Sequence, residues 1–243
     1  MAFYDPKSDS IVIRVVYDGM GTAGKTTNID KIWELFSVAR EGDVYTPETL
    51  RGRTLYFDWL ELNAGRIADR RLRCQIITVP GQFAYVQRRW ELLRYPDAIV
   101  AVCDSTRESL TRARLGFQFL RRTLAVREMH NVPIVLQANK QDLPDAIPVD
   151  ELREHLATGD DVRIVAASAL DGTGVRRTLM DAIHAASERL RAKLDDMKPH
   201  ELEPYGEGPE ELYLRLKSYE DSGALDEGAA IADKILAEAE LAS

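Results

Sequence analysis

Residues 19–26, Gly-Met-Gly-Thr-Ala-Gly-Lys-Thr, fit the Gly-x4-Gly-Lys-[Ser/Thr] pattern of a phosphate-binding loop. The flanks suit it. Residues 11–17 (IVIRVVY) read as a buried strand, and beyond the loop Ile29, Ile32, Trp33 and Phe36 recur at helical spacing. Such a strand–loop–helix unit turns successive backbone N–H groups and the positive end of a helix dipole toward a bound phosphate. Gly19, Gly21, Thr22, Ala23, Gly24 and Thr27 would then line the phosphates. Lys25 would reach the β- and γ-phosphates, and the Thr26 hydroxyl would ligate Mg²⁺.

The rest of the chain repeats this alternation. Residues 54–62 and 71–79 read as two strands around a turn at Asn63-Ala64-Gly65, an antiparallel pair at one sheet edge. Pro80-Gly81-Gln82 ends the second of them. Apolar runs at 98–104 and 133–139 are separated by an Arg-rich helix over 108–129; a last strand at 162–167 precedes a last helix at 175–197. Strands alternating with helices predict an α/β fold with a mostly parallel, six-stranded sheet covered by helices on both faces. Ligands of such sheets sit at the carboxyl ends of the strands.

Composition shifts after residue 197. A breaker-rich linker (Pro199, Pro204, Gly206, Gly208, Pro209) leads to helical patterns at 210–219 and 226–241, so the expected division is a domain over 1–197 and an extension over 198–243. Leu212, Leu216 and Tyr219 on the first helix, and Ile231, Ile235 and Ala239 on the second, form narrow apolar faces that must cover something. From Asp195 onward 14 acidic residues face 4 basic ones; the net charge of −8 therefore divides into about −10 on the tail and about +2 on the body. No long basic face appears, which argues against nucleic acid as the main partner.

Cys74 and Cys103 both lie in apolar strand-like runs and read as buried free thiols, as suits a reducing cytoplasm. The first ten residues lack the apolar core of a signal peptide, Ala2 stands where myristoylation needs glycine, and the last five residues hold no cysteine to prenylate. No apolar run reaches the roughly 18 residues of a membrane span. The expectation is a cytoplasmic protein without a membrane anchor.

The base-selecting element is Asn139-Lys140-Gln141-Asp142, placed directly after an apolar strand. A carboxylate there accepts from both N1–H and the exocyclic amine of guanine, a donor pair adenine lacks, and a wrong base would strand a buried charge. Ser168-Ala169-Leu170 after the last strand is its usual companion, with the Ala169 N–H offered to the guanine carbonyl.

With these elements the chain resembles the Ras-like GTPase superfamily, a P-loop NTPase fold, over about residues 10–194. Within it the chain is most similar to the MglA-type small GTPases of bacterial motility and cell polarity. The shared pieces are Gly24-Lys25-Thr26-Thr27-Asn28, Arg53-Thr54-Leu55-Tyr56-Phe57-Asp58, Thr78-Val79-Pro80-Gly81-Gln82 and the Asn139–Asp142 motif. Thr78 is the most telling, because most Ras-like proteins have Asp there. The resemblance implies a GTP/GDP–Mg²⁺ switch, a homodimeric roadblock-fold activating partner of the MglB type, effectors at the switch regions, and an intrinsic transition-state arginine that maps to Arg53.

Gln82, directly after Pro-Gly at Gly81, is placed to orient an attacking water, and Arg53 to neutralise charge at the β–γ bridge. Thr54 is the expected second Mg²⁺ contact, with Thr46 and Thr49 as rivals; Asp58 reads as a solvent-facing residue of an edge strand, the alternative being a place behind the metal in lieu of the missing Walker-type Asp. Thr22-Ala23 depart from the Leu-Cys type of pair expected in the family, which changes packing rather than chemistry. The acidic tail has no counterpart in it. Gln82 and Arg53 together favour a hydrolysing switch over the alternative, a nucleotide-dependent scaffold with little turnover; a metabolic P-loop kinase lacks support in the guanine-selecting motifs.

Overall fold

The computed structural model describes residues 2–50, 53–82, 85–159, 162–204, 207–222, 233–234 and 237, with the backbone alone at 49–50 and 53–54. Strand β2 (Ser10–Asp18) is buried at every position because it is paired on both sides. It runs parallel to β6 (Arg70–Thr78) along its length, and its last four residues run parallel to β7 (Ala98–Asp104). Strands β8 (Ile134–Asn139) and β9 (Arg163–Ala166) continue the parallel array beyond β7. Strand β5 (Trp59–Ile67) closes the other edge antiparallel to β6. The order β5-β6-β2-β7-β8-β9 is the mostly parallel, six-stranded sheet that the sequence predicts.

Two short strands extend it. β1 (Phe3–Asp5) lies antiparallel to the first residues of β2, and β10 (Glu203–Pro204) from the tail pairs with β1 in parallel. A separate hairpin joins β3 (Thr49–Leu50) to β4 (Arg53–Thr54).

Strand alternation divides the core. Ile11, Ile13, Val15 and Tyr17 of β2 join one buried cluster with α1 (Lys25–Leu35) and α5 (Val175–Leu194). Val16, Ile77 and Ile99 join a second cluster with α3 (Leu110–Val126), α4 (Val149–Leu156), α6 (Pro209–Ser222) and part of α2 (Val86–Leu92).

The edge hairpin differs from the expectation in its turn. The first strand begins only at Trp59, and the chain reverses at Ala68 and Asp69, whose φ values of 47° and 59° are those a two-residue hairpin turn requires. Gly65, with φ 97°, instead sits where the β5–β6 register slips between Asn63 and Arg66, so it makes a bulge. The second tail helix expected at 226–241 lies outside the described residues except at 233–234 and 237, which are helical. Both cysteines are free and buried. Among the described residues no helix is long and apolar enough to cross a membrane.

Candidate functional site

The carboxyl ends of β2, β6, β7 and β8 converge on the loop at residues 19–24. Gly24, the N-cap of α1, has φ 98°, and a Cβ there would lie 2.3 Å from Asn139 Nδ2, so only glycine satisfies both constraints. Lys25 is buried, its Nζ donating to the carbonyls of Gly19 (2.7 Å) and Met20 (2.9 Å). Burial pulls its pKa down to about 8, which marks an ammonium short of negative charge and suited to an anion.

Above the loop runs the segment 78–82. Gly81 O accepts from Gly21 N at 2.9 Å, and a Cβ on Gly81 would sit 2.4 Å from Gly21 N and 2.5 Å from Lys25 Nζ. Gln82 is half-buried, and its Cγ lies 3.8 Å from where a Cβ on Gly21 would be. Together these residues, Thr22, Thr26, Thr27 and the exposed Arg112 of α3 line a cavity of about 490 Å³.

Asp58 corrects the sequence reading. It is 1 % exposed rather than solvent-facing, because it ends the segment that enters β5 and turns inward. Its carboxylate accepts from Thr26 Oγ1 (2.9 Å), Thr46 Oγ1 (2.9 Å) and Thr78 Oγ1 (2.8 Å), and its own N–H donates to Thr78 Oγ1 (2.9 Å). The residue at 78 that departs from most Ras-like proteins therefore bonds Asp58, whose carboxylate comes from the segment leading into β5. Of the three threonines weighed for the second metal contact, Thr46 is the one whose described side chain reaches this cluster; the side chains of Thr49, Thr54 and Arg53 lie outside the described residues. Three hydroxyls and a carboxylate converging beside Lys25 are hard oxygen donors of the kind Mg²⁺ takes, alongside phosphate oxygens and water.

At the end of β8, Asn139 ties the two halves of the site together. Its Nδ2 donates to Ala23 O (2.7 Å) and its Oδ1 accepts from Ala169 N (2.9 Å). Lys140, at φ 67°, is fixed by its ammonium on Asp104 Oδ2 (2.6 Å). Burial works to raise the Asp104 pKa, but Lys140 and the N–H and hydroxyl of Thr106 hold it below the usual carboxylate range. Gln141 is pinned by its N–H on Ala167 O (3.0 Å) and its side chain on Ile147 O (3.1 Å). Asp142, next in line, is exposed and makes no hydrogen bond or ion pair among the described residues. Ser168 is buried and accepts from Asp171 N (3.4 Å), while Leu170 is exposed at the rim.

Two buried devices escape a motif search. Asn28 and Gln137 exchange side-chain hydrogen bonds (2.8 and 2.9 Å), locking α1 onto β8. Asp18, immediately before the loop, forms a two-pronged ion pair with Arg89 of α2 (2.6 and 2.7 Å). A buried Asp at a strand end and an Arg in a helix 71 residues further on carry no sequence signature; only the charge of Asp18 inside an apolar strand could have flagged it.

The sequence matches the ADP-ribosylation factor family over residues 5–186. It is 35% identical over 181 residues to the mutual gliding-motility protein MglA of Myxococcus xanthus, covering 74% of this chain and 92% of that one. Among solved structures, the Arl6 (BBS3) small GTPase of Trypanosoma brucei, with the nucleotide analogue GppNp bound, shares the fold at a TM-score of 0.55 and 24% identity, covering 73% of this chain and 98% of that one.

Proposed function

The chain belongs to the ADP-ribosylation factor family of small GTPases, in its MglA-type branch, and from that premise we propose how its residues divide the work of a GTP/GDP switch. The enzyme binds guanine nucleotide and hydrolyses GTP to GDP and phosphate. The observation that carries the assignment of roles is the exposed Asp142 carboxylate, without a partner among the described residues, three positions after Asn139, which itself grips both the phosphate loop and Ala169. One end of this unit takes the guanine edge; the other holds the loop that takes the phosphates.

In this reading Asp142 accepts from N1–H and the exocyclic amine, Ala169 N–H faces the guanine carbonyl, and Ser168 and Leu170 shape the rim. Lys25 and the N–H groups of residues 19–27 hold the phosphates, and Gly81 N–H reports the terminal one. Thr26, with Thr54, Thr46 or Thr49, would hold Mg²⁺ with Asp58 behind; the bound ion would neutralise phosphate charge. Gln82 orients the water that attacks the γ-phosphorus as the bond to the bridging oxygen breaks, and Arg53 neutralises the charge left on that oxygen. Effectors and regulators read the switch segments, the activator being a roadblock-type homodimer, in a cytoplasmic pathway of motility or polarity like that named for MglA. The catalytic domain spans 1–197 and the extension 198–243 regulates it.

The test is nucleotide exchange on Asp142→Asn. Wild type should prefer GDP over ADP by at least about 10³, and the variant should gain xanthosine diphosphate, whose exocyclic C2 carbonyl oxygen accepts from an amide. Comparable ADP affinity in the wild type would refute the base assignment. Gln82→Leu should abolish stimulated turnover while leaving GTP affinity within about twofold, since orientation of water matters only in the transition state.

A further inference from the structure

The family match ends at residue 186, yet helix α6 (Pro209–Ser222) lies across the segments that frame the phosphate site. Leu212 and Leu216, one helical turn apart, are buried in the cluster that holds Tyr56, Phe57, Trp59 and Leu92. Polar contacts flank this apolar stripe on both sides. Tyr213 packs edge-on to Tyr56, with ring centroids 5.0 Å apart, and donates its hydroxyl to Glu48. Lys217 donates to the same Glu48 carboxylate at 3.2 Å. One turn further, Glu220 accepts from Tyr56 OH (2.8 Å) and from two nitrogens of Arg88 on α2, one at 3.0 Å. Arg88 in turn donates to Leu55 O (2.6 Å) and lies over the Tyr56 ring, 3.8 Å from its centroid.

The gripped residues matter because of their neighbours. Glu48 is two positions beyond Thr46, and Tyr56 is two positions before Asp58; Thr46 and Asp58 bond each other in the site. Arg88 belongs to the helix that follows Gln82. α6 therefore fastens both ends of the segment 46–58 and the start of α2 to one rigid rod. Thr26 and Thr46 both spend their hydroxyl hydrogens on Asp58 in this arrangement. Any movement of segment 46–58 that carries Thr46 toward a γ-phosphate-bound ion must work against the contacts α6 makes at Glu48 and Tyr56.

We propose that α6 is an intramolecular ligand of the switch face, docked in the GDP state and displaced when the γ-phosphate is bound, so that any protein reading this face must compete with it. The surface so defined accepts an amphipathic helix presenting two leucines four residues apart, with a tyrosine and an acidic residue beside them. The proposal rests on the nucleotide reading above. Its energetic content is a coupling between nucleotide and helix, which by linkage must be reciprocal.

Amide hydrogen exchange of residues 210–222 in the full chain, loaded with GDP–Mg²⁺ or with GppNHp–Mg²⁺, reads the coupling directly. The expected result is protection of α6 greater in the GDP form by about 5–150-fold, the range of typical site–site couplings. Equal protection in the two forms overturns the proposal. Glu220→Arg, at the helix end and away from the nucleotide residues, should loosen α6 and shift the ratio of GppNHp to GDP affinity by at least about fivefold toward GppNHp. A loosened α6 with an unchanged ratio also overturns it. If the chain loads neither nucleotide, seen as no binding of a fluorescent GDP before either comparison, it is the guanine reading itself that fails.

Discussion

Removing the charge of Asp18 tests whether the phosphate loop and α2 are held as one unit. The Asp18 and Arg89 side chains are 2 % and 3 % exposed. Arg89 also donates to Gly116 O (3.2 Å) and lies over the Phe119 ring, 4.4 Å from its centroid. In Asp18→Asn the shape is kept while a guanidinium is left buried without its counter-charge. Breaking a buried pair from one side costs about 3–5 kcal/mol, a large part of the roughly 5–15 kcal/mol that holds a domain folded. For a chain of this size that corresponds to a fall in Tm of roughly 6–20 °C. Removing both charges together, Asp18→Asn with Arg89→Met, should cost less than Asp18→Asn alone, because no stranded charge remains. Urea unfolding of the full chain in saturating GDP measures both variants under one ligand load. A loss below about 1 kcal/mol for Asp18→Asn, or a double variant whose loss equals the sum of the singles, would refute the reasoning. Either result would mean that water or another group compensates Arg89.

Gly24→Ala should fold yet lose GDP affinity by at least about tenfold, since the new Cβ meets Asn139 Nδ2 at 2.3 Å and the left-handed backbone adds strain of about 1–3 kcal/mol; calorimetric titration with GDP checks it. Burial pushes the Cys103 thiol up to about 12 and the Cys74 thiol higher still, so neither should alkylate with iodoacetamide at neutral pH until urea unfolds the chain; mass spectrometry of the folded protein reads this. The lowered pKa of Asp104 contributes stability that is present in full above the unfolded value near 3.9 and is lost as pH falls through the folded value. Asp104→Asn should accordingly be less stable than wild type at pH 7 and lose less on acidification from pH 5 to pH 3, a comparison of Tm against pH.

Some of this molecule is legible in its residues, and the boundary is physical. The loop, its strand and its helix are encoded locally: Gly24 must be glycine, and the apolar run before it must be a doubly paired strand. The Asn139–Asp142 element is equally local, because it terminates a strand whose register is fixed by burial on both faces. Asp58 is different. Its inward turn depends on Thr78 from the adjacent strand and on Thr46 from a segment that runs beside β5, contacts set by pairing across the sheet edge rather than by neighbours in sequence. The hairpin turn was misread for a related reason. Gly65 is the stronger local turn signal, but the bulge it forms carries the strand two residues further, to Ala68 and Asp69, where pairing with β6 demands positive φ. The short helices α2 and α4, of 7 and 8 residues, carry too few turns for periodicity to declare them. The expected apolar face of the first tail helix was present at Leu212 and Leu216, but nothing in the pattern named the surface it would cover.

That surface adjoins the antiparallel edge of the sheet. β5 is bonded to a full strand only on its β6 side; on the other it is bridged to a non-strand segment at Arg40↔Leu62 and Tyr45↔Trp59. Thr46 and Asp58, two members of the oxygen cluster, face each other one residue beyond the second bridge. β2, in contrast, is paired with β6 from Ser10 to Tyr17, with β7 from Val15 to Asp18, and is buried at every position. Opening free energies vary across a fold, and segments that must change state come from the weakly bonded end of that range. On the proposed roles, the phosphate loop follows a strand buried at every position while Thr46 lies on a segment tied to β5 by two bridges, which separates the part that would hold nucleotide from the part that would report it. A clamp on that segment acts at Glu48 and Tyr56, each two positions from the paired Thr46 and Asp58.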